Sequence, residues 1–238
     1  MREAWDRLLL REAAGQGIGL SDDQIRALAI FRAELLRWNE KVNLTSVTDE
    51  REMAVKHFLD SLYCLKAIPA GCRSIVDVGS GAGFPGIPLA VALPGVRVTL
   101  IEATGKKTDF LRRVVDGMGL GAAVLWARAE TAGRHPDLRE RFDVVVARAV
   151  AELRVLAELC LPLCAVGGRW IAMKGPGAGG ELASARRAIC LVGGGEAELL
   201  PYELPFGLGR RNLVVVGKEA STPERYPRRV GVPERKPL

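Results

Sequence analysis

Apolar residues along this chain change their spacing once, near residue 70. Before that point the period is helical. Ile25, Leu28, Ala29, Phe31, Leu35 and Leu36 recur at helix spacing. Ser21, with Gln24 three residues later, forms a capping-box pattern that predicts the helix start. Val42 to Thr48 reads as a loop. Asp49 then opens another helix through Met53, Val55, Phe58, Leu59, Leu62 and Leu65, which ends before Pro69. Beyond residue 70, short β-branched runs alternate with helical ones. Strands are expected at 73–78, 96–102, 123–127, 142–147 and 168–173. Helices are expected at 85–93, after a cap at Thr104 (apolar face Phe110, Leu111, Val114, Val115, Met118), at 151–161 and at 181–191. Two final strands, 196–204 and 212–216, have no helix between them.

Strands alternating with helices imply a parallel sheet with right-handed crossovers. Two strands without an intervening helix pair only as antiparallel neighbours. The expectation is therefore a Rossmann-like α/β domain: a mostly parallel, seven-stranded sheet ending in an antiparallel hairpin. This is the arrangement of class I methyltransferases, whereas dinucleotide dehydrogenases run all-parallel through this region. Residues 1–70 form an N-terminal helical extension, 71–217 the sheet domain, and 218–238 a basic tail packed on or beside it.

The first strand runs straight into Asp77-Val-Gly79-Ser-Gly81-Ala-Gly83. Glycines serve where the backbone turns sharply and lets a ligand approach. The spacing is Gly-x-Gly-x-Gly, not the Gly-x-Gly-x-x-Gly of nicotinamide sites. Asp77 ahead of the first glycine is awkward beside a pyrophosphate but sensible near a cationic sulfonium cofactor. Glu102 ends the next strand, where an acid can bind both ribose hydroxyls. Gly105-Lys106-Lys107-Thr108 is not a phosphate loop: the Walker pattern needs Gly-Lys followed directly by Ser or Thr, and a glycine five places earlier. The bland alternative is a tight structural turn in a non-catalytic domain.

Ligands of this architecture bind outside the carboxyl ends of the strands, so the end of the fourth strand, Val146-Ala147-Arg148-Ala149, bears on chemistry. It lacks the Asn/Asp-Pro-Pro-aromatic motif of amino-group methylases. Cytosine-C5 methylation needs a nucleophilic cysteine nearby, and Cys160 and Cys164 fall far along what reads as the next helix, sharing one face. A ring nitrogen such as guanine N7 has a lone pair and no proton to lose. Its methylation needs alignment more than acid–base help, and proximity alone supplies roughly 7–11 kcal/mol. No catalytic residue is therefore assigned. Arg148 is expected to orient a cofactor carboxylate or an RNA phosphate, against a plain ion pair with Asp143 or Glu152. His57 reads as a packed helix histidine, and His135 carries no role.

Composition changes this picture little. Hydrophobic residues make up 48% of 238, enough for a sizeable core. No apolar run reaches the ~18 residues of a membrane span, and the N-terminal stretch lacks a secretory apolar region; a cytoplasmic location is expected. Five scattered cysteines suggest neither a disulfide framework nor a metal site. A net charge of +6 suits a polyanionic partner.

Asp77 to Ala90, reading Asp-Val-Gly-Ser-Gly-Ala-Gly-Phe-Pro-Gly-Ile-Pro-Leu-Ala, strongly resembles the bacterial 16S rRNA guanine-N7 methyltransferase family, RsmG/GidB. The Phe84-Pro85-Gly86 extension separates it from generic methyltransferases. Further matches are Trp38-Asn39, Asn43-Leu-Thr45, His57-Phe-Leu-Asp-Ser-Leu62, Lys106-Lys107 with Phe110-Leu111, Arg148-Ala149, Lys174-Gly175 and the ending Tyr226-Pro-Arg…Lys236-Pro-Leu238. The resemblance implies transfer of a methyl group from S-adenosylmethionine to N7 of a guanine at nucleotide 527, in the 530 loop of 16S rRNA. The partner is then the 30S subunit or an assembly intermediate, with no membrane or metal, and the chain is taken as a monomer. It implies cofactor contacts at Gly79, Phe84, Glu102-Ala103-Thr104, Ala129-Glu130 and Arg148, joining Asp77, Gly81 and Gly83. Lys106, Lys107, Lys174, Arg210, Arg211, Arg228 and Arg229 are the candidate RNA contacts. The tail from Lys218, with six Lys or Arg against three Glu, is expected to serve RNA binding, so that deleting 221–238 weakens rRNA methylation more than cofactor binding. The glycine-rich stretches 175–180 and 193–195 depart from the family pattern. A nicotinamide-linked oxidoreductase and a non-catalytic RNA-binding assembly factor are the competing readings.

Overall fold

The computed structural model describes residues 4–238; the first three residues of the expected N-terminal extension lie outside the described ones. The extension is helical as expected: α1 (Trp5–Gly15), α2 (Asp22–Asn39), and a continuous run of α3 (Glu50–Met53), a π-helical segment (Ala54–Leu59), α4 (Asp60–Leu62) and a 3-10 turn (Tyr63–Lys66). The capping box at Ser21 is formed: Gln24 N donates to Ser21 Oγ, and Ser21 N donates to Gln24 Oε1. The same Gln24 amide reaches the carbonyls of Val91 and Ala92, fastening α2 to the sheet domain.

That domain holds β1 (Ser74–Val78), α5 (Gly86–Ala92), β2 (Arg97–Glu102), α6 (Gly105–Gly117), β3 (Ala122–Trp126), α7 (Ala129–Ala132), β4 (Phe142–Arg148), α8 (Leu153–Cys160), β5 (Cys164–Lys174), α9 (Ala178–Leu191), β6 (Gly194–Leu204) and β7 (Gly209–Lys218). The strand order is β3-β2-β1-β4-β5-β7-β6. β1 to β5 pair in parallel; β7 runs antiparallel to both β5 and β6. The expected mostly parallel sheet with its terminal hairpin is present. Period-two alternation sends Ile75, Leu100, Val144 and Val146 into one apolar layer, under the N-terminal helices, α5 and α6. Val76, Val78, Val145 and Ala147 face a second layer with α8 and α9.

Three readings change. Cys160 closes α8 and Cys164 opens β5, so they share no helix face; the chain must leave the helix to re-enter the sheet. Thr104 occupies the cap position of α6, but its hydroxyl caps nothing. At 193–195 packing requires glycine at 193, where a Cβ would lie 2.0 Å from the backbone oxygen of Ala220, whereas a Cβ at Gly195 would meet only the movable end of the exposed Glu219 side chain.

Those contacts belong to the tail, which is not a solvated strand of charge. Arg134 donates to the carbonyls of Pro227 and Arg225, and Arg139 to those of Tyr226 and Thr222. Lys218 is buried, its ammonium donating to Val192 O and paired with Glu140 at 3.5 Å. Arg228 grips the fully buried Glu158. The tail ends in α10 (Val232–Arg235).

Candidate functional site

The strand order reverses between β1 and β4, and a cleft opens there at the carboxyl ends of the strands. Register explains its charges. Asp77 pairs with Leu100 on one side and Val146 on the other. Glu102 and Arg148 stand two residues further along the neighbouring strands. Both therefore point to the same face, flanking the glycine loop that leaves β1.

The loop is held from several sides. Gly79 N and Ser80 N both donate to Ile101 O. Gly79, Gly81 and Gly83 have φ of 73, 57 and 93°, values that favour glycine. Glu102, nearly buried, accepts Gly81 N at 2.9 Å on one oxygen and Thr104 N at 2.7 Å on the other. A Cβ on Gly79 would lie 2.6 Å from a Val150 methyl, so bare backbone lines the cleft here. Gly83 instead faces inward, where a Cβ would meet Ile87 and Phe31.

Asp77 does not reach the cleft. It is fully buried beneath the loop, one oxygen accepting Gly86 N at 2.9 Å and the other without a partner. Burial pushes its pKa up to about 7. The acid read as a neighbour of a sulfonium is a brace for the Phe84-Pro85-Gly86 turn.

Two connected compartments make up the cleft. The apolar one, about 180 Å³, is lined by Val78, Ile101, Val155 and Leu159, with Ala129 and Glu130 at its rim and Pro233 and Glu234 of the tail closing it. The polar one, about 370 Å³, is lined by Gly79, Gly81, Phe84, Glu102, Ala103, Thr104, Lys107 and Arg148, with Thr45 and His57 from the N-terminal extension. Gly79, Ala103, Arg128 and Val150 border both. Of the expected cofactor residues, only Asp77 and Gly83 lie off the cleft.

Arg148 pairs with neither Asp143 nor Glu152. Its guanidinium lies over the Phe84 ring at 5.1 Å and donates to Lys56 O at 3.0 Å and Asp60 at 3.4 Å. Asp60 accepts Tyr202 OH at 2.7 Å on its other oxygen. Burial pushes its pKa up, and Arg148 and Tyr202 pull it back. His57 stacks on Phe84 at 4.8 Å. Its Nδ1 faces Lys56 O at 3.2 Å, so that nitrogen carries the proton, and Nε2 accepts from Thr45 Oγ1 at 2.7 Å. Asn39 shapes this wall: its amide oxygen accepts Leu44 N and Thr45 N. The histidine that read as mere packing is also a wall of the cleft, and no sequence spacing announced it.

Burial, and then the Arg148 charge, push the His57 pKa down to about 4. The folded state therefore prefers neutral His57. That stability is present above the unfolded value near 6.5 and is lost as pH falls toward 4. Between pH 7 and pH 5 the loss is about 2 kcal/mol. Asp77 acts in the opposite sense, because its raised pKa lets the fold take up a proton over the same interval. The stability advantage of wild type over His57→Gln is thus expected to shrink by about 2 kcal/mol from pH 7 to pH 5, read from urea midpoints. Parallel pH profiles would refute the assignment.

Among the candidate RNA contacts, Lys107 lines the cleft, and Lys106, Arg210 and Arg229 are exposed. Lys174 is paired with Glu181 at 2.7 Å and donates to Ala151 O. Arg228 is spent on Glu158. Both basic groups hold the fold together, which removes them from the free basic surface. Among the described residues, no cluster of three His, Cys, Asp or Glu could hold a metal ion.

Residues 24–202 match the family described as GidB, rRNA small subunit methyltransferase G. A protein named ribosomal RNA small subunit methyltransferase G, from Pelotomaculum thermopropionicum, is 51% identical over 232 residues, covering 96% of this chain and 97% of its own. One of the same name from Roseiflexus sp. (strain RS-1) is 49% identical over 232 residues, covering 97% and 99%. This chain belongs to the GidB family.

Solved structures show the same fold at low identity. Cofactor-bound Rv0187 from MTB aligns with a TM-score of 0.55 at 20% identity, over 84% of this chain and 92% of that one. A point mutant of MtNAS in complex with S-adenosylmethionine aligns at 0.52 and 20%, over 81% and 73%. The GidB match runs from α2 into β6, so it takes in the glycine loop, Glu102, Arg148, Thr45 and His57.

Proposed function

We propose that this GidB-family enzyme transfers a methyl group from S-adenosylmethionine to N7 of guanine 527 in 16S rRNA. The observation that carries this reading is that the two acids and the imidazole around the glycine loop and Arg148 are already engaged. Glu102 holds two backbone N–H groups, Asp60 holds Tyr202 and Arg148, and His57 is neutral with both nitrogens occupied. Cys64, Cys160 and Cys164 are buried, and burial raises all three thiols. Such a cleft suits an acceptor atom that needs neither deprotonation nor a covalent nucleophile.

The lining fits the cofactor. Glu102 has acceptor lone pairs left for ribose hydroxyls, the Val78-Ile101-Val155-Leu159 slot takes a flat adenine, and the Gly79 cradle would be filled by a Cβ. When bound, S-adenosylmethionine supplies an electrophilic methyl group on a sulfonium sulfur. This chain's residues bind and orient. Ala103, Thr104, Ala129 and Glu130 would border the nucleoside, while Phe84 and Asp60 hold Arg148 where it would steer a carboxylate or phosphate. The +6 charge supports rRNA as the acceptor. We take the protein to act in the cytoplasm, as a monomer, on the 30S subunit or its assembly intermediate.

Labelled methyl transfer to 30S subunits lacking this modification is expected to mark one guanine of the 530 loop at N7. Label on another atom or nucleotide would overturn the assignment. An absence of label would return the non-catalytic reading.

A further inference from the structure

The β6–β7 hairpin carries a feature that the cleft chemistry leaves unused. Its tip is a 3-10 turn, Pro205–Gly207, and Phe206 there is 48% exposed. Single exposed apolar residues are ordinary. This one is also held at φ 61°, a left-handed conformation uncommon for a bulky side chain. Glycine would occupy that position without strain, yet the chain carries a phenylalanine. The Arg51 guanidinium, at the start of the helical run leading to His57, lies over the ring at 5.1 Å.

Topology sets this pair beside the cleft. β7 is antiparallel to β5 and to β6, so β6 runs in the direction of the parallel strands. Its end at Leu204 therefore lies at the same carboxyl end of the sheet as Glu102 and Arg148. Tyr202, two residues before that end, hydrogen-bonds Asp60, which pairs with Arg148. Arg51 precedes Lys56, whose carbonyl accepts from Arg148, by five residues, roughly 7 Å along a helix. Exposed Arg210 follows on β7.

We propose that Phe206 and Arg51 form a stacking platform for an unpaired nucleotide of the RNA substrate, next to the guanine that enters the cleft. The proposal rests on the rRNA reading of that cleft. Proteins that read RNA loops splay bases onto aromatic rings and arginine planes. A strained aromatic with a cation over its face suits a base flanked by phosphates better than it suits an apolar protein partner.

The test measures KM and kcat on 30S subunits lacking the methyl group, S-adenosylmethionine affinity by calorimetry, and thermal midpoint. Phe206→Ala is expected to raise KM about tenfold, within the range of losing one stacked base. Cofactor affinity should stay within about twofold of wild type, as a site outside the cofactor cleft requires. Phe206→Trp should restore KM. Phe206→Gly should raise KM like alanine while melting no lower than wild type, because it relieves the left-handed strain. An unchanged KM in Phe206→Ala would overturn the platform, as would an equal loss of cofactor affinity, which marks a structural role. Wild-type protein that leaves 30S subunits unlabelled would overturn the rRNA reading itself, and the platform with it.

Discussion

Glu102→Ala is expected to weaken S-adenosylmethionine binding by about 100-fold, equivalent to about 2.8 kcal/mol. The carboxylate does two jobs. It stands at the end of β2, where the proposed ribose hydroxyls lie, and it ties Gly81 N and Thr104 N together at 2.9 and 2.7 Å. Charge-assisted hydrogen bonds of this kind contribute about 1.5–3 kcal/mol each. Alanine frees both N–H groups and leaves the glycine loop tethered through Ile101 alone on this side. Glu102→Gln is not a neutral control, because glutamine offers only one oxygen and must aim an NH2 at the second backbone donor. We expect it to lose about tenfold by the same conversion. Calorimetric titration with S-adenosylmethionine reads both. Affinity within about threefold of wild type for Glu102→Ala would remove this residue from the cofactor site.

Arg228→Ala is expected to produce the largest loss of stability. Glu158 sits in α8 with its side chain wholly buried, and Arg228 binds it through Nε and Nη2 at 2.6–3.1 Å. Removing the guanidinium strands a buried carboxylate with only Arg228 N as donor. Breaking a buried pair on one side costs about 3–5 kcal/mol, and for a chain of this size each kcal/mol shifts the melting point by about 2–4 °C. A drop of roughly 6–20 °C follows from those two ranges. Replacing both partners, Glu158→Met with Arg228→Met, should recover most of it, because no charge is then left buried. A fall of less than about 2 °C for Arg228→Ala would contradict this account. The exposed Arg26–Asp23 pair on α2 offers a contrast, since surface pairs contribute little.

The same geometry revises what the tail is for. Pro233 and Glu234 close the apolar compartment, and Gly231 N donates to Glu130 at 2.8 Å. Deleting 221–238 is therefore expected to cost cofactor binding along with rRNA methylation. A tail that served RNA alone would lose only the second.

Much of this arrangement was legible in the chain itself. The change of hydrophobic period at residue 70, the Ser21–Gln24 box and the helix-free stretch between the last two strands are local signals, and local backbone chemistry is what realises them. The glycine spacing and Glu102 at a strand end likewise placed one wall of the cleft, because a strand's length and its alternation fix where its last side chain points. Tertiary packing alone decided the rest. Asp77 precedes the glycine loop whether it faces ligand or core, and only the approach of α5, bringing Gly86 N to its carboxylate, turned it inward. Arg148 had acids at hand in the sequence, yet it took Asp60, far away along the chain, because β4 and the N-terminal helices meet across one face of the sheet. A run of arginines in the tail looks the same whether it meets RNA or a buried glutamate. Charge pattern carries no depth, and depth arises only when distant segments are brought together and water is removed from between them.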